Sequence, residues 1–256
     1  MQKFIINQFI CRKDNYGVLI HNTDTKETLS IDAPDANIID KNLTEKDLKL
    51  SHLFITHKHL DHIEGITFLK DKYNCLVIGP EGEKDQIPLI DQTVYDEQYI
   101  NFSGSPVRVI HTPGHTLGHV MYFFEKEKIL FAGDTLFLMG CGRVFEGTYD
   151  QMYESMEKIK TLPPDTTIYC GHEYSYTNAK FAANIDHKNS LVHDRLKRIE
   201  EKTLAGKQCL PTTLEKELKT NPFLRYNNKY LKESIGMDGM DGNIIFAEIR
   251  KRKDNF

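Results

Sequence analysis

Thr56-His57-Lys58-His59-Leu60-Asp61-His62 sets three histidines and one aspartate within seven residues, directly after the apolar run His52-Leu53-Phe54-Ile55. A lone histidine is most often a partly buried hydrogen-bonding ring. This density at the end of a strand-like run reads instead as a metal cradle. While the chain stays extended, alternation turns His57, His59 and Asp61 to one side. His62 then begins a turn and faces elsewhere, so one short loop can serve two neighbouring metal positions.

A tetrahedral or five-coordinate ion needs further imidazoles and carboxylates. Three other apolar runs end in a glycine followed by such a residue: His115 in Thr112-Pro113-Gly114-His115, Asp134 in Ala132-Gly133-Asp134-Thr135, and His172 in Cys170-Gly171-His172-Glu173. Glycine lets the backbone bend there and present a side chain at the rim of a sheet. The donors are imidazole and carboxylate without thiolate, which suits zinc, iron or manganese and disfavours copper(I) or a structural cysteine site. His111 and His119, on either side of His115, read as hydrogen-bonding groups rather than ligands. His21, His52, His187 and His193 lack supporting context.

Around these donors the chain changes character once. Up to residue 170 it reads as short apolar runs bounded by turns (Phe4–Ile10, Gly17–Asn22, Thr28–Asp32, His52–Thr56, Cys75–Gly79, Val107–His111, Val120–Phe124, Lys128–Gly133 and Thr167–Gly171), with helices over Ile63–Asp71 and Tyr149–Thr161. That pattern is a layered α/β architecture. Beyond about Gly171, helical spacing takes over in Tyr174–Ile185, Ser190–Ala205, Thr212–Leu218 (capped by Thr212 or Thr213) and Asn243–Asn255. A metal-binding domain over 1–172 and a helical domain over 173–256 are expected. The net charge of −4 hides 17 basic against 25 acidic residues in 1–170 and 16 against 12 in 171–256, so the helical part is the one suited to an anionic substrate. Five cysteines, odd in number and widely spaced, fit neither a disulfide framework nor a zinc knuckle and point to a reducing compartment. The start of the chain has no leader pattern and no stretch is apolar enough to span a bilayer, so a cytoplasmic protein without a membrane partner is expected.

The His-x-His-x-Asp-His loop at 57–62 resembles the signature of the metallo-β-lactamase fold superfamily, which implies an αβ/βα sandwich with its metal site at one edge. By that resemblance His57, His59 and His115 hold one metal, Asp61, His62 and His172 hold a second, and Asp134 bridges them. Two divalent ions per chain follow, zinc first, iron or manganese as alternatives. Gly133-Asp134-Thr135-Leu136-Phe137 leading to Gly140-Cys141-Gly142-Arg143, then Gly171-His172-Glu173-Tyr174 and Asn221-Pro222-Phe223-Leu224-Arg225, are similar to the glyoxalase II (hydroxyacylglutathione hydrolase) family across essentially the whole chain. The resemblance implies hydrolysis of S-D-lactoylglutathione to glutathione and D-lactate, the second step of methylglyoxal detoxification, with Asp61 and Asp134 as the catalytic carboxylates. It assigns Arg250 and Lys253 to the glycine carboxylate of glutathione; spaced i and i+3, they share a helix face. Lys251 and Arg252 read as a solvated basic end. Arg143 and Tyr174 match positions lining the same pocket, whereas Phe145 departs from a tyrosine that relatives often carry.

Other readings use the same fold. A single-iron glutathione persulfide dioxygenase leaves the second-site donors and the Arg250/Lys253 pair unused. An RNA-processing nuclease requires a broad basic face, which an isoelectric point near 6.3 does not supply. The expected partner is a small glutathione thioester rather than nucleic acid, acting on a monomer or weak homo-oligomer.

Overall fold

A computed structural model describes residues 4–256; residues 1–3, part of the chain start read above, lie outside it. The described chain packs as two compact units, one running up to His111 and including Thr116–Glu127, the other comprising Thr112–His115 and Lys128–Phe256.

The first unit contains β1 (Phe4–Cys11), β2 (Asn15–Asn22), β3 (Thr28–Ile31), α1 (Ala36–Glu45), β4 (Leu50–Phe54), α2 (Leu60–Ile63), α3 (Ile66–Tyr73), β5 (Leu76–Pro80), β6 (Gln92–Val94), β7 (Tyr99–Phe102), β8 (Ser105–His111) and β9 (Val120–Phe124). Strands β1 to β6 form a sheet in chain order, antiparallel through β3 and parallel from β3 to β6. Parallel strands are buried on both faces and so read as continuous apolar runs; Leu53, Ile55 and Val77 pack there with Ile39 and Leu43 of α1 and Ile66 and Leu69 of α3. Helix α1 was not expected. Its signals are the Asp35 carboxylate, which accepts the Asn37 and Ile38 N–H groups, and apolar residues four apart at 39 and 43. The helix expected over 63–71 is broken into α2 and α3, because Gly65 donates its N–H to the Ala33 carbonyl, 2.8 Å away. Strands β7, β8 and β9 are an antiparallel meander, from which the buried Tyr122 hydroxyl donates to the Ile55 carbonyl at 2.8 Å.

The second unit contains β10 (Ile129–Phe131), β11 (Leu136–Phe137), β12 (Gly140–Cys141), α4 (Tyr149–Lys160), β13 (Thr167–Tyr169), α5 (Ser175–Ile185), α6 (Ser190–Leu204), β14 (Thr212–Thr213), α7 (Leu214–Thr220), α8 (Lys229–Ile235) and α9 (Gly242–Asp254). Strands β10 and β13 are parallel, with Phe131 opposite Tyr169. Thr148 and Gln151 close a reciprocal capping box at the start of α4. Rings of Tyr153, Phe181, Phe223, Tyr226 and Phe246 form its aromatic core. The helix expected from Thr212 starts at Leu214. Thr212 and Thr213 pair with β13 instead, and Thr213 stands at the cap position without a side-chain hydrogen bond. The hairpin β11–β12 and helix α8 are too short to leave a periodic signal and were not expected.

All five cysteines are buried and unpaired with one another. Burial pushes the Cys11 thiol up to about 12, and those of Cys75 and Cys141 up to about 11. Among the described residues no helix is long and apolar enough to cross a membrane. Tyr122→Phe leaves the Ile55 carbonyl without its hydroxyl donor; an expected loss of about 1–3 kcal/mol is read from urea unfolding, and an unchanged midpoint would show that the bond contributes nothing.

Candidate metal centre

In the first unit, β4 ends at Phe54, and Thr56, His57 and His59 follow in irregular backbone ahead of α2. Asp32, buried just past β3, takes hold of this stretch: Oδ1 accepts the Thr56 N–H at 2.7 Å and Oδ2 the Thr56 hydroxyl at 2.9 Å. The same Oδ2 lies 2.8 Å from His62 Nδ1. A carboxylate can only accept, so His62 Nδ1 carries the proton and Nε2 presents a lone pair. Because the Thr56 hydroxyl spends its proton on Asp32, it accepts from His57 Nδ1, 3.0 Å away, and His57 Nε2 is likewise left as a lone pair. Nε2 faces His59 Nδ1 at 3.1 Å, close to the separation of about 3.3 Å between two nitrogens sharing a tetrahedral zinc.

Asp61 and His62 do not continue the strand. They lie on α2, so strand alternation does not reach Asp61. What aims Asp61 is Asn15, whose amide nitrogen is 2.9 Å from Oδ2 and 3.2 Å from the backbone oxygen. The donor atoms of Asp61 and His62 lie within 4.8 Å of each other, as do those of His57 and His62. Glu83, also buried, pins the loop from outside by accepting the Lys58 and Gly118 N–H groups at 2.6 and 2.9 Å. Asp32, Asn15 and Glu83 were missed in the sequence reading.

In the second unit, parallel β10 and β13 carry Asp134 and His172 to the same end, each three residues beyond a register pair. Asp134 Oδ2 is 3.3 Å from His172 Nε2 and 3.3 Å from His115 Nε2, so one carboxylate oxygen stands between two rings. His115 Nδ1 donates to the Arg143 carbonyl at 2.9 Å, which again leaves Nε2 as a lone pair. A lone pair and a carboxylate oxygen at this distance repel unless a cation lies with them; the donor set therefore fits a divalent metal. The segment bearing His115 is tied down by the Thr112 and Thr135 hydroxyls, 2.8 Å apart, and by Ser155, which donates to the Pro113 carbonyl at 2.9 Å. Gly142 is required where the chain doubles back: a Cβ there would lie 1.9 Å from the Asp134 carbonyl oxygen.

The expected substrate residues also lie in this unit. Tyr174 stacks on His172 at 4.8 Å with rings 4° from parallel. Phe145 is 61% exposed, its ring 5.3 Å from that of His115. Arg143 is largely exposed, with Nε 3.6 Å from Asp254 Oδ1. Arg250 is buried, donating to the Cys141 carbonyl at 2.8 Å and to the same Asp254 oxygen at 3.0 Å. Lys253 is half-buried, and burial together with Arg250 and Arg143 brings its ammonium down to about 8. Arg252 is more than a solvated end, since it bonds Glu248 and the Ile235 carbonyl. His111 hydrogen-bonds the Leu117 carbonyl at 2.8 Å; the buried His119 ring lies 4.9 Å from that of His57.

Asp32→Ala removes the acceptor that fixes both His57 and His62. Zinc affinity is expected to fall about 10–100-fold, measured by competition with a chromophoric chelator, and unaltered affinity would rule out the orienting role.

Residues 30–172 match the family described as metallo-beta-lactamase superfamily, and residues 173–256 the one described as hydroxyacylglutathione hydrolase C-terminus. A hydroxyacylglutathione hydrolase of Brucella ovis is 48% identical over 255 residues, spanning 100% of this chain and 99% of the relative. Among solved structures, ETHE1 from Myxococcus xanthus aligns over 97% of this chain and 98% of that one with a TM-score of 0.67 at 24% identity. A metallo-beta-lactamase from Staphylococcus aureus subsp. aureus COL aligns over 99% and 72% with a TM-score of 0.68 at 23% identity. The two structural likenesses are likenesses of fold.

Proposed function

Because the chain belongs to the hydroxyacylglutathione hydrolase family, within the metallo-β-lactamase superfamily, we propose that it hydrolyses S-(2-hydroxyacyl)glutathione, S-D-lactoylglutathione first, to glutathione and a 2-hydroxy acid. In this reading His57, His59 and His115 hold one divalent ion, Asp61, His62 and His172 the other, and Asp134 bridges them. The observation that carries it is the Asp134 oxygen 3.3 Å from two imidazole nitrogens, joined to a full-length relationship at 48% identity. Zinc is the first candidate, iron or manganese the alternatives.

When bound, such ions would polarise a carbonyl and lower the pKa of a coordinated water toward neutrality. Asp61, aimed by Asn15, accepts a hydrogen bond from the attacking water and holds it against the thioester carbon. No general acid is needed, since a thiol with a pKa of about 8.5 leaves as thiolate. Remote binding falls to the cations around Asp254. Arg143, Arg250 and Lys253 together exceed that one carboxylate by two charges, which suits the glycine carboxylate of glutathione. Arg250 being buried, direct contact falls first to Arg143 and Lys253, with Tyr174 lining the pocket. Phe145 brings no hydroxyl, so a substrate hydrogen bond worth about 0.5–1.5 kcal/mol is absent at that position.

Residues 1–172 as the catalytic domain and 173–256 as the substrate-binding domain complete the proposal, supported by the two family matches meeting there. A cytoplasmic monomer or weak homo-oligomer, without nucleic acid or membrane as partner, is part of the same reading.

Metal-replete protein is expected to turn over S-D-lactoylglutathione with two metals per chain, and Asp134→Ala to lose both turnover and metal. Two bound metals without turnover would force another substrate class; full activity in Asp134→Ala would remove the bridge. The Lys253 amine is protonated below pH about 8 and attracts a carboxylate there, whereas above it the charge is lost. KM is therefore expected to rise between pH 7 and 9, with Lys253→Met flattening that part of the profile. A wild-type KM independent of pH in that range, together with an unchanged KM in Lys253→Met at pH 7, would exclude Lys253 from the binding site.

A further inference from the structure

Between Asp134 and Arg143 the chain makes the small hairpin β11–β12, whose turn, Leu138-Met139, is buried. Met139 holds a left-handed φ of 54°, a conformation that an apolar side chain keeps only when its surroundings impose it. The backbone groups of this turn find their partners on helical elements far along the chain. Glu217 Oε2 accepts the Met139 N–H at 2.8 Å. The Asn221 amide nitrogen lies 3.2 and 3.0 Å from the Phe137 and Gly140 carbonyls and 3.1 Å from the same Glu217 oxygen. Asn178 donates to the Leu138 carbonyl at 3.2 Å, and Arg250 to that of Cys141. Five consecutive residues, 137 to 141, are thus each held by a side chain from beyond residue 177.

Glu217 is the centre of this arrangement. It is fully buried, and its second oxygen is bound by the Arg195 guanidinium and by the Thr212 hydroxyl at 2.8 Å. Arg195 also reaches the hydroxyls of Thr212 and Thr220. A fully buried carboxylate with two donors on each oxygen is a stiff strut, because moving it would strip a buried charge of hydrogen bonds that its surroundings cannot replace.

We propose that Glu217, with Arg195 as its counter-charge, is a positioning residue that fixes the hairpin and through it the placement of Asp134 relative to Arg143. This rests on the reading above, in which Asp134 serves the metals and Arg143 the thioester. The hairpin lies within the eight residues that join the two, and its downstream end is also where the Arg143 carbonyl orients His115. Glu217 does not touch substrate; it sets where two contacting groups stand.

A purely stabilising role predicts something different, which separates the two. Glu217→Gln keeps one acceptor oxygen and cannot serve Arg195 and Met139 together. It is compared with Leu231→Ala, a core truncation on α8 distant in sequence from the hairpin, after temperatures are chosen so that both variants are equally far below their melting points. Amide exchange over residues 136–143, metal retained against a chelator, and KM with kcat are then measured. Glu217→Gln is expected to raise exchange in that segment and KM by about tenfold or more and to lose metal faster, while Leu231→Ala leaves all three near wild type. Equal behaviour of the two variants would overturn the proposal. If Glu217→Gln does not fold, Thr212→Val, which removes one donor only, must shift the same readouts in the same direction, and its silence would overturn the proposal equally. Should the wild-type chain fail to hydrolyse the thioester, the functional reading falls, while exchange and metal retention still decide the role of Glu217.

Discussion

A metal-binding imidazole must offer a lone pair, and what decides which nitrogen offers it is the partner of the other nitrogen. Asp32 makes that decision twice, directly for His62 and through the Thr56 hydroxyl for His57. The remainder of the first unit is arranged to keep this carboxylate in place: β3 delivers Asp32, the parallel neighbour β4 delivers Thr56, and the register between them places the two within 3 Å. Because the pair is buried, any acceptor left unmatched is costly, which favours this one arrangement of the loop.

The second unit reaches the same end with backbone in place of carboxylate. His115 is oriented by the carbonyl of Arg143, while the side chain of that same residue faces Asp254 among the cations. One residue therefore orients His115 with its main chain and faces Asp254 with its side chain. Gly142 permits this, since only a residue without Cβ lets the chain pass so close to Asp134.

The residues of the candidate centre could be picked out in the sequence because chemistry concentrates them: imidazoles crowd into 57–62, and His115, Asp134 and His172 each follow a glycine. The residues that aim them could not. Asp32 lies 24 positions before Thr56 and Asn15 lies 46 before Asp61, and such pairs exist only once strands have paired. The switch to α2 at Leu60 escaped for a related reason, as a single helical turn has no period to read. Likewise, Arg250 and Lys253 were correctly placed on one helix face, but no local pattern could show that Arg250 is buried and already shared between Asp254 and Cys141.

The cysteines gain significance from the chemistry proposed. A hydrolase that liberates a thiol at every turnover works beside a nucleophile able to attack disulfides and, in oxidised form, to cap protein thiols. All five thiols here are buried, and burial drives each of their pKa values upward, so little thiolate exists and none of it is at the surface. None of the five is thus presented as a surface thiolate to the thiol that the proposed reaction releases.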